Sequence, residues 1–238
     1  PPPPPSGGGT SSGGGAPSGG TSTSSGNTGV VGDTHLAIQT GGATWAFDAA
    51  YDSASERYLV VAYSGYVRGQ FMGRDGVAIG SQFTIAKVGA WRPRVISNGS
   101  GLFAVVYTGL YGATYSLEIR LVEVTPRNWP GGVSPPIVLR AGDYYTLTYQ
   151  TAIAWNPVIQ PFLVAWASWM GPSVGVVVSG ITSSGTPGLE ATTVSEGTRC
   201  GNTSEYAKRA LSEFAIAPDG TGMIVGYADT TSPACQSY

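Results

Sequence analysis

Four short runs decide the fold: Leu59-Val60-Val61-Ala62-Tyr63, Phe103-Ala104-Val105-Val106-Tyr107, Phe162-Leu163-Val164-Ala165-Trp166 and Met223-Ile224-Val225-Gly226-Tyr227. Each is apolar and ends in an aromatic residue, and each follows a short turn: Asp52 to Tyr58, Asn98 to Leu102, Asn156 to Pro161 and Asp219 to Gly222. Those turns open with Asp or Asn, residues suited to turn positions. Each turn follows another apolar stretch, at Phe47 to Tyr51, Arg94 to Ser97, Ala152 to Trp155 and Phe214 to Ala217. The unit therefore opens with a β-hairpin, repeated four times. Val61, Val105, Val164 and Val225, at the centres of the runs, are expected to be buried in equivalent places.

The second half of each unit reads as a further hairpin. Tyr66 to Met72 leads through the turn Gly73-Arg74-Asp75-Gly76 to Gln82 to Ala86. Ser116 to Val124 leads through a longer Pro/Gly loop to Ile137 to Arg140, and Val174 to Ile181 leads to Ala191 to Ser195. The fourth unit stops after its first hairpin. Its missing half is expected at the other terminus, because Ser22 to Gly29 resembles Ile181 to Gly188 and His35 to Thr40 matches a closing strand. That N-terminal hairpin would complete the sheet begun by Phe214 to Tyr227, in its own chain or in a neighbouring molecule. Turn signals recur at strand spacing. No helix-period stretch exceeds two turns, the best being Ser204 to Leu211. Units of this size and strand order are propeller blades in length. The expected fold is all-β: a propeller-like body of about four four-stranded antiparallel blades, with half-blades at the two termini.

The turn, the aromatic-ending run and the Gly73 to Gly76 turn together resemble repeats of β-propeller proteins secreted by bacteria. The resemblance spans about residues 30–230 and implies a fold, leaving function open. The chain shows no Trp-Asp blade ending, no sialidase box and no Asp-rich calcium loop.

Residues 1–29 form a tail of Pro, Gly, Ser and Thr, expected to be an extended linker ahead of a repeat domain over 30–238. The 238 residues carry 36 Gly, 17 Pro and a net charge of −2, with only 11% charged side chains. Clustered positive charge in sequence is missing, which counts against nucleic-acid binding. No apolar stretch approaches the roughly 18 residues of a membrane span. The chain lacks a Met start and a signal peptide, as expected of a mature or excised segment.

Few residues suit chemistry. Cys200 and Cys235 flank the fourth unit's hairpin and are expected to form a disulfide, as an even count in an extracellular or cell-surface protein suggests. Two cysteines cannot complete a zinc site, so no metal and no cofactor are expected. His35 is the single histidine. Gly-x-Ser-x-Gly occurs at Gly9 to Gly13 and Gly171 to Gly175, but neither has the strand-turn-helix context of a nucleophile elbow. Asp48, Asp52, Asp143, Glu118, Glu123, Glu190, Glu196 and Glu213 are scattered rather than paired as an acid and base. No catalytic residue is therefore assigned. Trp91, Trp129 and Trp169, read as loop residues, are candidate glycan contacts, since an aromatic face stacks on a sugar ring. Asn98 and Asn202 head N-glycosylation sequons. These features lead to the expectation of a non-enzymatic extracellular structural protein, a surface or filament subunit self-associating by strand exchange through its N-terminal segment. The alternative is a lectin-like propeller module that binds carbohydrate.

Overall fold

The structure is a computed structural model describing residues 46–87, 89–111, 114–124, 132–142, 151–170, 173–198 and 211–229. The chain divides into two units, Pro1–Thr34 and His35–Tyr238, and all of the described residues belong to the second. The tail over 1–29, the N-terminal hairpin around Thr21 to Thr40 and most of Ser204 to Leu211 lie outside the described residues.

The described residues are all-β and form four antiparallel sheets. The first holds β1 (Ala46–Asp52), β2 (Arg57–Tyr63), β3 (Val67–Gly73) and β4 (Ala78–Ala86), in that order. The second holds β5 (Trp91–Ser97), β6 (Leu102–Tyr111) and β7 (Thr114–Glu123), and its outer place is split between β8 (Gly132–Val133) and β9 (Ile137–Gly142), both pairing with β7. The third holds β10 (Thr151–Trp155), β11 (Pro161–Met170), β12 (Ser173–Thr182) and β13 (Pro187–Thr198). The fourth is the hairpin of β14 (Leu211–Asp219) and β15 (Gly222–Asp229), the half-blade expected at the C-terminal end. The first strands of successive sheets lie together, β1 with β5, β5 with β10 and β10 with β14, as in the inner ring of a propeller.

The aromatic-ending runs are the second strands of the four sheets, and their composition follows from where they sit. Phe103, Val105 and Tyr107 of β6 pack into a core shared with Leu59 and Val61 of β2 and Phe71 of β3. Ala104 and Val106, on the opposite side of β6, join a second core with Leu117 and Ile119 of β7 and Phe162, Val164 and Trp166 of β11. A strand sandwiched between two sheets needs apolar residues at every position, unlike a strand with one wet face. Each fully buried Val, Leu or Phe contributes about 1.5–3 kcal/mol. Val61, Val105 and Val164 are buried completely. Val225 is only half-buried and its neighbour Ile224 is 59% exposed. The two-stranded fourth sheet gives them less cover.

Hydrogen bonds join the turns of adjacent sheets. Asp52, at the end of β1, reaches the second sheet, where Ser97 Oγ donates to its Oδ2 at 2.5 Å and the Gly101 amide donates to the same oxygen at 2.8 Å. Ser53 Oγ donates to Gly99 O beside it. Asn156, at the same place after β10, donates through Nδ2 to Gly220 O at 3.1 Å and Gly222 O at 2.9 Å in the fourth sheet. Asp52 thus ties the turn of the first sheet to that of the second, and Asn156 the turn of the third to that of the fourth.

Candidate functional site

Up-and-down connection gives the body two rims. One carries the β1–β2, β5–β6, β10–β11 and β14–β15 turns, together with the β3–β4 turn; Asp52 links the first two of these and Asn156 the third and fourth. The other carries the starts of β1 and β5 and the ends of β2, β6 and β11. β1 and β5 run in the same direction: Val95 N donates to Asp48 Oδ2 at 3.0 Å near their middles, and Ser97 meets Asp52 near their ends.

The second rim is aromatic. Trp91 opens β5, half-buried, and meets Tyr115 of β7 edge-on at 5.3 Å between ring centroids. Half-buried Arg68 lies over the ring of Tyr66, 38% exposed, at 5.7 Å in the β2–β3 turn region. Trp169 sits near the end of β11, opposite Val174. Trp91 and Trp169 therefore belong to strands rather than loops. The reason for Trp91 is a bulge: Trp91 pairs with Thr108 and Arg94 with Val106, and Arg92 holds a φ of 53°, which lets β5 start earlier than the Arg94 to Ser97 stretch suggests. Trp129 lies outside the described residues.

The buried carboxylates are structural. Asp52 accepts from Ser97, Gly101 and, through Oδ1, the Ser55 amide at 2.7 Å. Burial by itself would raise its pKa, but these hydrogen bonds outweigh it and hold the carboxyl below its ordinary value. Glu118 on β7 accepts from Tyr107 OH at 2.8 Å and Ser116 Oγ at 2.6 Å, while Arg120 Nε donates to Tyr107 OH at 2.9 Å. Burial raises the Tyr107 hydroxyl's pKa far above its ordinary value; Arg120 opposes that shift and Glu118 adds to it. Asp48 takes Ala49 N and Val95 N. Glu123 and Glu190 are exposed, and the side chains of Glu196 and Glu213 are not described.

Asn98 opens the β5–β6 turn, half-buried, its Oδ1 accepting from Ser100 N at 2.8 Å and Leu102 N at 3.2 Å. Ser173 of the Gly171 to Gly175 string begins β12, a strand where an elbow requires a helix. Cys200, Cys235, His35, Asn202 and Asp143 lie outside the described residues. Among the described residues no three His, Cys, Asp or Glu side chains gather as a metal site, and no helix is long and apolar enough to cross a membrane.

No protein-family model matches the chain, and no curated protein matches it. Solved structures do. An α-L-arabinofuranosidase from Podospora anserina in complex with cellotriose aligns at a TM-score of 0.44 and 10% identity, over 77% of this chain and 66% of that one. The catalytic domain of a GH62 α-L-arabinofuranosidase from Coprinopsis cinerea aligns at 0.43 and 12%, over 77% and 66%. A structure described under the GH130 family of mannoside phosphorylases, which contains glycoside hydrolases targeting β-1,2 mannosidic linkages in Candida mannan, aligns at 0.39 and 13%, over 80% and 61%. The chain thus spans under two thirds of the length of each.

These comparisons correct one expectation. The sequence leads to a non-enzymatic structural subunit forming filaments by strand exchange, yet the three matched chains are named for enzymes of carbohydrate, not for filament proteins. The physical weakness of the filament reading is plain. A chain without a nucleophile elbow can still carry an active site, since a propeller-like body can build one from the ends of several strands.

Proposed function

We propose that the protein is a carbohydrate-binding β-propeller module whose site is the aromatic rim. The observation that carries this is the edge-on pair of Trp91 and Tyr115, with the Arg68-covered ring of Tyr66 on the same rim. Indole and phenol rings offer an apolar face for the C–H side of a pyranose and a polar edge for its hydroxyls. The opposite rim commits Asp52, Ser97 and Asn156 to hydrogen bonds between turns, and the stacked aromatic pair lies on the aromatic rim. An extracellular or cell-surface location goes with this reading, since that is where polymeric glycans are met.

The test is a glycan array followed by titration calorimetry on the best ligand. Trp91→Ala and Tyr66→Ala, each checked for an unchanged circular dichroism spectrum, are expected to weaken binding about tenfold, the equivalent of about 1.4 kcal/mol. Absence of any glycan ligand, or full affinity in both variants, overturns the reading.

A further inference from the structure

The turn after the first strand recurs in all four sheets, but the residue pairs that open it are not chemically equivalent. They are Asp52-Ser53, Asn98-Gly99, Asn156-Pro157 and Asp219-Gly220. Asn156 precedes a proline, whose nitrogen carries no hydrogen. Of the chain's five asparagines, Asn98 alone precedes glycine. Gly99 has a φ of 75°, and with no side chain its amide nitrogen is unshielded on the side of the Asn98 carboxamide. Hydrogen bonds converge on this pair. Gly99 N donates to Ser97 Oγ at 2.8 Å, and Ser97 Oγ donates to Asp52 Oδ2 at 2.5 Å. The Asp52 carboxyl is held below its ordinary pKa and is ionised at neutral pH, so the Gly99 proton faces a path that ends on a carboxylate. On the other side, Asn98 Oδ1 accepts from Ser100 N at 2.8 Å and Leu102 N at 3.2 Å. Asn98 and Gly99 are half-buried and Ser100 is exposed, so water reaches the turn.

We propose that Asn98 is a site of self-catalysed modification, in which Gly99 N attacks the Asn98 carboxamide and converts it through a cyclic imide to aspartate or isoaspartate. The nitrogen forms a bond to Cγ while its proton passes to Ser97 Oγ and the serine's own proton passes to Asp52. The electron pair of the C=O bond moves onto Oδ1, where the Ser100 and Leu102 amides stabilise the negative charge, as backbone donors do for the tetrahedral intermediates of acyl transfer. Collapse of this intermediate breaks the Cγ–Nδ2 bond, and Nδ2 leaves as ammonia with the proton returned along the same path. Water then opens the imide. Breaking the bond to Cγ gives aspartate; breaking the bond to the main-chain carbonyl carbon gives isoaspartate, with the chain running through Cβ and Cγ. General-base catalysis requires an acceptor within hydrogen-bond reach of the proton it takes, and Ser97 Oγ meets that condition. The equivalent turns lack a reactant: Pro157 has no amide proton, and Asp52 and Asp219 have no ammonia to expel. Aspartate keeps the acceptor that the turn uses. Isoaspartate lengthens the main chain between Ser97 and Gly99, in a turn that meets the first sheet through Gly99 O and Gly101 N. Either product also removes the nitrogen on which the Asn98 sequon would carry a glycan.

The test follows the full 238-residue chain at neutral pH, folded and in urea, by peptide mass spectrometry with chromatographic separation of aspartate from isoaspartate. Asn98 is expected to gain the mass of an amide replaced by an acid. It is expected to do so about tenfold faster in the folded chain than in the unfolded one, because the fold brings nucleophile, proton acceptor and oxyanion donors together. Asn156 is expected to stay unchanged in both. Ser97→Ala is expected to lose the folded chain's advantage and Ser97→Thr, which keeps the hydroxyl, to retain it, while all three chains react alike in urea. An equal or slower reaction in the folded parent chain overturns the proposal, and that comparison needs no variant to fold. A folded Ser97→Ala chain that reacts as fast as the parent overturns the assignment of Ser97 as proton acceptor. Modification of Asn156 at the same rate as Asn98 overturns attack by the Gly99 amide.

Discussion

Ser97 Oγ donates to Asp52 Oδ2 at 2.5 Å across a separation of 45 residues, and this contact ties the first sheet to the second. The carboxylate also holds two backbone amides, Gly101 and Ser55. Asp52→Ala removes a buried carboxylate and leaves its three donors without their acceptor, and is expected to cost about 2–4 kcal/mol in chemical denaturation. Because these donors hold the Asp52 pKa below 3.8 in the folded protein, its contribution is complete above that value. It is lost as pH falls through the folded-state value. The acid limb of the stability profile is expected to flatten in Asp52→Ala, and an unchanged limb would place the acid sensitivity elsewhere.

At the alkaline end the controlling group is Tyr107. Its buried hydroxyl donates to Glu118 and is held protonated well beyond its ordinary value of 10.0. A folded-state pKa raised above the unfolded one contributes stability below the unfolded pKa and loses it as pH climbs through the folded value. The protein is expected to lose stability as pH rises past about 10. Tyr107→Phe is expected to remove that dependence while costing about 1–3 kcal/mol at neutral pH, since Glu118 loses a donor. Stability measured across alkaline pH, with tyrosinate absorbance alongside, checks both parts.

Gly69 on β3 marks a close approach. A Cβ there would stand 2.7 Å from the Phe83 ring and 2.9 Å from Ile85 Cδ1. Phe83 in turn stacks on Phe71 at 5.4 Å in the core between the first two sheets. Gly69→Ala is expected to destabilise by about 1–3 kcal/mol, the usual cost of overpacking. Phe83→Leu in the same chain is expected to recover part of the loss. No recovery in the double variant would show that the strain lies in the backbone instead.

The repeat was legible because being buried on both sides leaves a mark in composition: a strand such as Phe103 to Tyr107, packed on both faces, has no polar position to interrupt it. The turn positions were legible too, as Asp52 and Asn156 stand where turn-forming residues recur. Their partners were not, because Ser97, Gly101, Gly220 and Gly222 come from the next unit and only the fold brings them near. The aromatic rim escaped for a similar reason. Trp91 and Tyr115 are 24 positions apart, and Arg68 is as far from Arg92; no local pattern joins them. Their shared place follows from the up-and-down order of strands, which sets every second connection on the same side.

The same substitution at two equivalent turns is expected to give opposite outcomes. Asn98 and Asn156 both open the turn after a first strand, and both accept backbone amides through Oδ1: Ser100 and Leu102 for Asn98, Val158 and Ile159 for Asn156. Asn156 does more, since its Nδ2 donates to the carbonyls of Gly220 and Gly222 and so ties the β14–β15 hairpin to the third sheet. Asn156→Asp sets an anionic oxygen against two carbonyl oxygens, turning two attractions into repulsions in a buried place. The expected cost is about 2–4 kcal/mol, with the β14–β15 amides exchanging hydrogen far faster than those of the first two sheets. Asn98→Asp keeps an acceptor where the turn uses one, and matches the residue that Asp52 supplies in the first sheet. Its expected effect is within about 0.5 kcal/mol. Equal losses for the two variants would mean that the turn itself, and not the link to the neighbouring sheet, is what the amide of Asn156 supports.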